Sequence, residues 1–424
     1  MPDRGYKRFE IAMSAIEQLS KDTSASSRVS AAVAAMSAFE LTGATIAAGE
    51  SFEAWGVQYN RLIQAEQEST GDEIASLSEQ DAAELIPSIL ASCELVRSIE
   101  SDLVLASLRD NQRRIPQAEI KLIRQYPQWF VPLLLQDCVA ETEKIEQSKN
   151  KKGASSDAVS SLPFFTLYLA SELAIAEFLP VLLRGLKLPG EGAFDLYGDS
   201  IHDEVPRLLA QFLHDDIDRI DELVLAPSHN IYVRWCSAGS YKYLVRDKIL
   251  TLEEAVQRLD RLFEATKVTD ETGRPGMGHS YELSAGIVDV LASIGGGELS
   301  MIGDSPEQWN FIDDSIIGPD DLVSSVAPAD PSRLTRELLA LPATRIEDCI
   351  EVFRSWRSFK EDGRTKEYPS PVPKPADRPL PIPRVCQKLP QPEIAKPVRS
   401  DRTPRNADCP CGSGKKYKKC CMQT

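Results

Sequence analysis

Residues 162–190 read LPFFTLYLASELAIAEFLPVLLRGLKLPG and contain two apolar stretches separated by a short polar turn. The spacing predicts one helix at about Pro163–Leu173 and a second at about Glu177–Leu186. Pro189 and Gly190 end the pair, because neither residue continues a helix well. A helical hairpin of this kind has an apolar face that it cannot bury alone, so we expect it to pack against neighbouring hairpins.

Similar pairs of apolar stretches lie on both sides of this hairpin. The first helices of successive pairs start at uneven intervals, whose average is close to the roughly 33–47 residues of helical-hairpin repeats. No segment shows the alternation typical of a strand. The predicted fold class is therefore all-α, with helical hairpins stacked into an α-solenoid. The other predicted helices of this series are Pro116–Arg124, Trp129–Glu143, His202–Phe212, Asp218–Leu225, Ile231–Arg246, Leu252–Ala265 and His279–Ser293.

The N-terminal part of the chain is also expected to be helical. Ser30–Ala48 is alanine-rich and a good helix former. A further helix is predicted from about Glu79 to Leu108, capped by Ser78 or Asp81. Pro87 should kink this helix or start a second one. Its predicted apolar side consists of Leu85, Ile89, Leu95, Ile99 and Leu103.

A proline-rich segment separates the repeats from the C-terminus. Eleven prolines lie between Gly363 and Pro404, including the run PSPVPKPADRPLPIP at 369–383. Such a segment favours extended polyproline-like chain, a semi-rigid spacer. We therefore predict an N-terminal helical region at 1–112, a helical-repeat domain at 113–360, a disordered linker at 361–405 and a zinc-binding motif at 406–424.

Charge is unevenly distributed along the chain. The formal net charge is −16, but Glu361–Thr424 contain 14 Lys and Arg against 7 Asp and Glu, so residues 1–360 carry −23. An acidic body argues against sequence-independent binding to duplex nucleic acid. No apolar run approaches the roughly 20 residues of a membrane span. The five isolated cysteines suggest no disulfide framework and favour a reducing, cytoplasmic location.

Four cysteines crowd into the last sixteen residues, in the pattern C-x-C-x8-C-C. Thiolates this close together in a segment too short for an apolar core indicate a tetrahedral zinc site that supplies folding energy. Four sulfur ligands leave no open coordination position, so the zinc is predicted to be structural. Tyr417 is expected to cover the site. The predicted ligands are Cys409, Cys411, Cys420 and Cys421.

The string CPCGSGKKYKKCC at 409–421 resembles the SEC-C motif, found at the C-terminus of the preprotein translocase ATPase SecA and on many unrelated proteins. Many members have His as the fourth ligand, where this chain has Cys421. In SecA the motif binds zinc and contacts an acidic chaperone and ribosomes. The resemblance implies docking to such a partner and not translocation. The residues expected to contact the partner are Lys415, Lys416, Tyr417, Lys418 and Lys419.

The body, at about Ile115–Val323, resembles the bacterial family of domain of unknown function 1186. The stretches that carry the resemblance are 162–189, 197–212 and 230–245. It implies HEAT-like helical hairpins and no known activity.

Three functional hypotheses follow. The first is a non-enzymatic adaptor whose zinc motif docks an acidic partner, because neither a G-x-x-x-x-G-K-[ST] nor a G-x-S-x-G motif occurs. The second is a hydrolase or transferase with a site around His202, Asp203 and His279. The third is a tail that docks on its own acidic body. A second metal site is the weaker interpretation of seven residues: His202, Asp203, His214, Asp215, Asp216, Asp218 and His229. The simpler interpretation is that Asp215–Asp218 begin a helix, whose dipole stabilises their carboxylates.

Overall fold

The computed structural model describes residues 6–37, 61, 63–65, 68, 77–110, 114–149, 160–297, 299–302, 305–325, 338–361 and 364–365. Helices dominate these residues, which confirms the all-α prediction. The described α-helices are α1 (Lys7–Leu19), α2 (Ala25–Ser37), α3 (Glu79–Arg109), α4 (Gln117–Gln125), α5 (Pro127–Lys149), α6 (Leu162–Leu173), α7 (Leu179–Leu186), α8 (Gly192–Tyr197), α9 (Ser200–Asp203), α10 (Val205–Leu213), α11 (Asp218–Leu225), α12 (Ile231–Arg246), α13 (Leu252–Thr266), α14 (Tyr281–Ser293), α15 (Pro319–Ser325) and α16 (Cys349–Ser355).

The described residues form two compact units. One comprises those of Met1–Phe130 and Phe353–Leu389, and the other comprises those of Val131–Val352. In the first unit, β1 (Lys360–Glu361) pairs antiparallel with β2 (Arg364–Thr365). No helix within the described ranges is long and apolar enough to cross a membrane. The domain boundaries proposed from the sequence stay a prediction.

The N-terminal unit buries one side each of α1, α2 and α3. As predicted, Ser78 caps α3, with its hydroxyl accepting a hydrogen bond from the Asp81 amide at 3.2 Å. The helix continues through Pro87 to Arg109. The predicted apolar side is correct only in its first half, because Leu95 is exposed. The buried side shifts to a set that includes small and polar residues: Ser92, Cys93, Val96, Glu100, Ser101, Val104, Leu105 and Leu108.

The second unit contains the predicted hairpins from Pro163 onward, whereas the first helix of the earliest predicted pair, α4, belongs to the N-terminal unit. The predicted and observed bounds coincide for two helices, Asp218–Leu225 and Ile231–Arg246. Asn230 begins the second of these helices, since its side-chain oxygen accepts a hydrogen bond from the Tyr232 amide at 2.9 Å. Thr251 and Glu254 form a capping box at the start of α13.

One predicted helix is divided in two. The expected helix at His202–Phe212 is observed as α9 and α10, separated at Glu204. The physical cause is Pro206, which has no amide hydrogen to donate to the carbonyl of His202. Helix α8, which lies just before this break, was not predicted.

Neighbouring helices of the repeat body approach one another closely. A Cβ atom added to Gly286 of α14 would lie 2.4 Å from Cγ of Trp235 in α12, so the indole packs directly on the glycine. Arg258 of α13 forms ion pairs at 2.8 Å with both Asp218 and Asp221 of α11. These contacts join successive hairpins by shape and by charge.

A late segment of the chain, residues 343–349, lies across earlier helices; we call it the clasp. Its Arg345 side chain donates to the carbonyl of Glu172 at 3.0 and 2.7 Å. The Cys349 amide donates to Glu172 Oε2 at 2.8 Å. Arg207 of α10 donates to the carbonyls of Ala343 and Thr344. Glu172 and Arg207 are both buried, so the clasp satisfies polar groups that would otherwise be costly to bury.

Candidate functional site

The predicted zinc ligands Cys409, Cys411, Cys420 and Cys421 lie outside the described residues, as do Lys415, Lys416, Tyr417, Lys418 and Lys419. The donor set itself fits zinc, since four thiolates form the ligand shell of many structural zinc sites. In that role the metal would order the C-terminal segment and would leave no position for a substrate.

Three aromatic side chains form a cluster on the described part of the repeat body, which we call the aromatic surface: Phe194 of α8, His202 of α9 and Tyr232 of α12. The ring centroids of Phe194 and His202 are 5.6 Å apart, those of His202 and Tyr232 are 5.7 Å apart, and those of Phe194 and Tyr232 are 6.1 Å apart. His202 and Tyr232 are exposed, and Phe194 is half-buried. The break between α9 and α10 places His202 beside the start of α12.

Cys236 lies beneath the aromatic surface. Its Sγ atom is 3.4 Å from Nδ1 of His202, and its side chain is buried. Burial raises the pKa of this thiol to about 12, and the negative charge of Asp203 acts in the same direction. Because a catalytic cysteine reacts as the thiolate, this pair lacks the activation that nucleophilic catalysis requires at neutral pH.

Two carboxylates accompany the aromatic surface. Burial is the main cause of a raised pKa at Asp203; the charge of Asp199 also raises it, while His202 acts in the opposite direction. Within the described residues, no Lys or Arg forms an ion pair with Asp199 or Asp203. Both groups therefore present negative charge that no described Lys or Arg neutralises, although His202 adjoins Asp203.

His279 has a different environment. It is buried just before α14, and its Nε2–H group donates to the carbonyl of Phe311 at 2.8 Å. Nδ1 accepts from the amide of Val268 at 3.3 Å, which fixes the neutral tautomer. Burial lowers the pKa of His279, and the nearby charge of Lys267 lowers it further. None of these partners belongs to the aromatic surface, so the hypothesis that grouped His279 with His202 and Asp203 receives no support from their contacts.

The other residues of the second-metal interpretation have separate structural partners. Asp218 pairs with Arg258, Nε2 of His214 lies 3.2 Å from Asp215, and Nδ1 of His229 lies 3.4 Å from the Leu223 carbonyl. Among the described residues, no three His, Cys, Asp or Glu side chains are grouped so that they could hold a metal ion. The start of α11 at Asp218 confirms the helix-start interpretation.

Sequence reasoning identified His202 and Asp203 but missed Phe194 and Tyr232. Phe194 belongs to α8, the helix that was not predicted, so its position near His202 had no basis in the pattern. Tyr232 is the second residue of a correctly predicted helix. A large aromatic residue in the first, exposed turn of a helix was the available signal.

The fold and the C-terminal sequence define a class: a helical-repeat protein that carries a motif of a zinc-binding type. Residues 99–360 match the family described as Protein of unknown function (DUF1186). This match covers more than half of the chain, and the chain therefore belongs to that family. Residues 405–423 match the SEC-C motif. Both resemblances expected from the sequence are thus confirmed.

The similarity to curated proteins is confined to a short region. One is the protein translocase subunit SecA of Geotalea uraniireducens (strain Rf4), 61% identical over 31 residues, which are 7% of this chain and 4% of that protein. Another is the protein translocase subunit SecA of Chlorobaculum tepidum, 66% identical over 29 residues, which are 7% of this chain and 3% of that protein. No solved structure matches the chain.

Proposed function

We propose that this protein is a cytoplasmic, non-enzymatic adaptor. Its helical-repeat body carries a tethered C-terminal motif in which Cys409, Cys411, Cys420 and Cys421 hold one structural zinc ion. The ordered motif presents the lysines at 415, 416, 418 and 419, with Tyr417, to an acidic partner such as a chaperone or the ribosome.

The observation that carries this proposal is the SEC-C match at 405–423, which contains the four cysteines and the four lysines together. A basic cluster favours acidic surfaces, because complementary charge raises association rates and excludes partners of like charge. The buried thiols of Cys93, Cys138, Cys236 and Cys349 form no disulfide bonds, which suits a reducing compartment.

Zinc content is the first test. We expect one zinc ion per chain by elemental analysis of protein purified from metal-replete cells. The Cys409→Ser/Cys411→Ser double variant should contain none, while Cys386→Ser, which changes a cysteine outside the motif, should keep the metal. A metal-free full-length chain would contradict the zinc site.

Partner docking is the second test. Full-length protein, a chain ending at Arg405, the double cysteine variant and the Cys386→Ser control are each immobilised and exposed to ribosomes and to a purified acidic chaperone. We expect binding by the full-length chain and the control, and loss from the other two. Equal recovery by all four would assign docking to the repeat body instead.

The alternative is a hydrolase or transferase with a site around His202, Asp203 and His279. Cys236, whose Sγ lies 3.4 Å from Nδ1 of His202, is the nucleophile that the structure would offer such a site. Because burial raises the pKa of the Cys236 thiol to about 12, this residue is not activated as the nucleophile of such a site. Alkylation by iodoacetamide at pH 7.5 distinguishes the two: a nucleophilic cysteine reacts within minutes, whereas a buried neutral thiol should be modified only as slowly as the protein opens.

A further inference from the structure

The aromatic surface combines two features that favour a positively charged guest. Tyr232 is 40% exposed and His202 is also accessible, so ring area is open to solvent at the point where α8, α9 and α12 meet. The face of a tyrosine or phenylalanine ring attracts an ammonium or guanidinium group that comes within about 6 Å of its centroid.

The second feature is uncompensated negative charge. The side chains of Asp199 and Asp203 are both exposed, but partial desolvation of the Asp203 carboxyl and the like charge of Asp199 still raise the pKa of Asp203. An ammonium group placed beside Asp203 would supply a counter-charge and favour the ionised form of this carboxyl. These carboxylates would stabilise a bound cation, and the long apolar stem of a lysine would pack against the aromatic rings.

The chain itself contains a segment of matching chemistry. Four lysines lie at positions 415, 416, 418 and 419, in a region whose surplus of positive charge opposes the −23 of residues 1–360. About 50 residues separate Thr365, the last described residue, from Lys415. At about 3.1 Å per residue in polyproline-like conformation, that length could span on the order of 150 Å, so reach does not restrict docking. Tethering also keeps the lysines at a high effective concentration near the body.

We propose that the aromatic surface and the carboxylates of Asp199 and Asp203 bind the lysine cluster of the chain's own C-terminal segment, at 415–419. The bound state withholds these lysines from an external acidic partner, and a partner must compete for them. This inference rests on the proposed docking role of the segment and adds its regulation.

A zero-length carbodiimide cross-link tests the contact in the full-length, zinc-loaded chain, because this reagent joins lysine amines directly to nearby carboxylates. We expect peptides that link one of the four lysines to Asp199 or Asp203. The yield should fall at least fivefold between 50 mM and 500 mM salt, since screening weakens exposed charge pairs. Mixing isotope-labelled with unlabelled protein separates links within a chain from links between chains.

Tyr232→Ala is the decisive variant, because it removes an exposed ring and leaves both carboxylates available to the reagent. We expect a loss of at least threefold in the link to Asp199 and Asp203. Tyr281→Ala is the matched control, since Tyr281 is similarly exposed at 41% but lies beside His279; its cross-link yield should be unchanged. Thermal melts confirm that both variants fold.

Several results would overturn the proposal: no link to these carboxylates, equally strong links to the exposed Asp215 and Asp216, links only between chains, or a separate basic protein captured at this surface. The outcome is independent of partner binding. If the intramolecular link is found but no acidic partner binds the segment, the proposed adaptor function fails and the intramolecular contact stands. If the link is absent and partner binding is zinc-dependent, only the regulation fails.

Discussion

The surroundings of His202 and of His279 differ although the two histidines have similar settings in the sequence. Each lies near the start of a helix, close to a serine and an acidic residue. His202 is exposed among rings and carboxylates, with its Nδ1 atom facing a thiol. His279 is 7% exposed and holds two backbone segments together through both ring nitrogens.

The difference arises from chain that lies far away in sequence. The Gln308–Phe311 turn covers His279 and supplies the carbonyl that fixes its proton, whereas the neighbours of His202 leave it open to solvent. A histidine near a helix start therefore becomes structural or available according to which later segment covers it. Substitutions at and around the two histidines test this contrast.

The largest loss of folding stability is expected for Gly286→Ala in α14. The added methyl group would meet the Trp235 ring at 2.4 Å, and we expect the free energy of unfolding to fall by about 3 kcal/mol, as is typical of overpacking. Gly239→Ala in α12 is the matched control. Its new methyl group would lie 3.4 Å from Pro206, an ordinary contact, and the gain in helix propensity should make this variant neutral or slightly more stable. Urea unfolding measures both.

A smaller loss is expected for His279→Ala. The substitution leaves the Val268 amide and the Phe311 carbonyl without their buried partner, and each such loss costs about 1–3 kcal/mol unless water replaces it. We expect a total of about 2 kcal/mol by urea unfolding. A loss below about 0.5 kcal/mol would show that the two segments are held by other contacts.

The third prediction concerns pH. The folded state lowers the pKa of His279, so the unfolded chain binds a proton more readily. Stability is therefore fully present above the unfolded pKa of about 6.5 and should decrease as the pH falls below it. Lys267 faces the same imidazole and opposes its protonation. Urea midpoints at pH 7.5 and 5.5 should differ less in His279→Gln than in the natural chain. The residual dependence comes from His229, whose pKa is also lowered, and from carboxyls of raised pKa such as Glu204 and Asp260, which act in the opposite direction.

The smallest change in stability is expected for His202→Ala, at about 0.5 kcal/mol or less, because an exposed ring makes little net contribution. The same variant should uncover Cys236, whose alkylation rate should rise severalfold. Faster labelling without loss of stability would confirm that His202 covers the thiol and does not support the fold. A loss comparable to that of His279→Ala would contradict the contrast between the two regions.

Much of the fold could be predicted because its helices follow simple local rules. Asn230 and Thr251 mark the starts of α12 and α13 by side-chain caps, and Pro189 with Gly190 marks the end of a hairpin. The face of α3 was harder, since Leu95 points to solvent while Glu100 and Ser101 are buried. Which face is buried depends on tertiary partners and on polar pairs that periodicity does not reveal.

The two candidate sites also differ in whether local sequence is enough to predict them. A metal-binding motif is local, so the spacing of Cys409, Cys411 and the final cysteine pair is enough to nominate its ligands, which stay a prediction. The aromatic surface is assembled from α8, α9 and α12, and its rings are brought together only by the packed fold. Sequence spacing could nominate His202, but it could not show that Phe194 and Tyr232 lie beside it.

The clasp has a consequence for the order in which the protein is made. The amide of Cys349 meets the Glu172 carboxylate across 177 positions of the chain. At about 5–20 residues per second, a ribosome needs on the order of 10–35 seconds to add that length. During this interval Ser171 and Glu172 of α6 lack the amides of Ile346 and Cys349 as hydrogen-bond partners. The contacts of Ser171 and Glu172 with the clasp can therefore form only after residues 343–349 have been made, well after α6 itself.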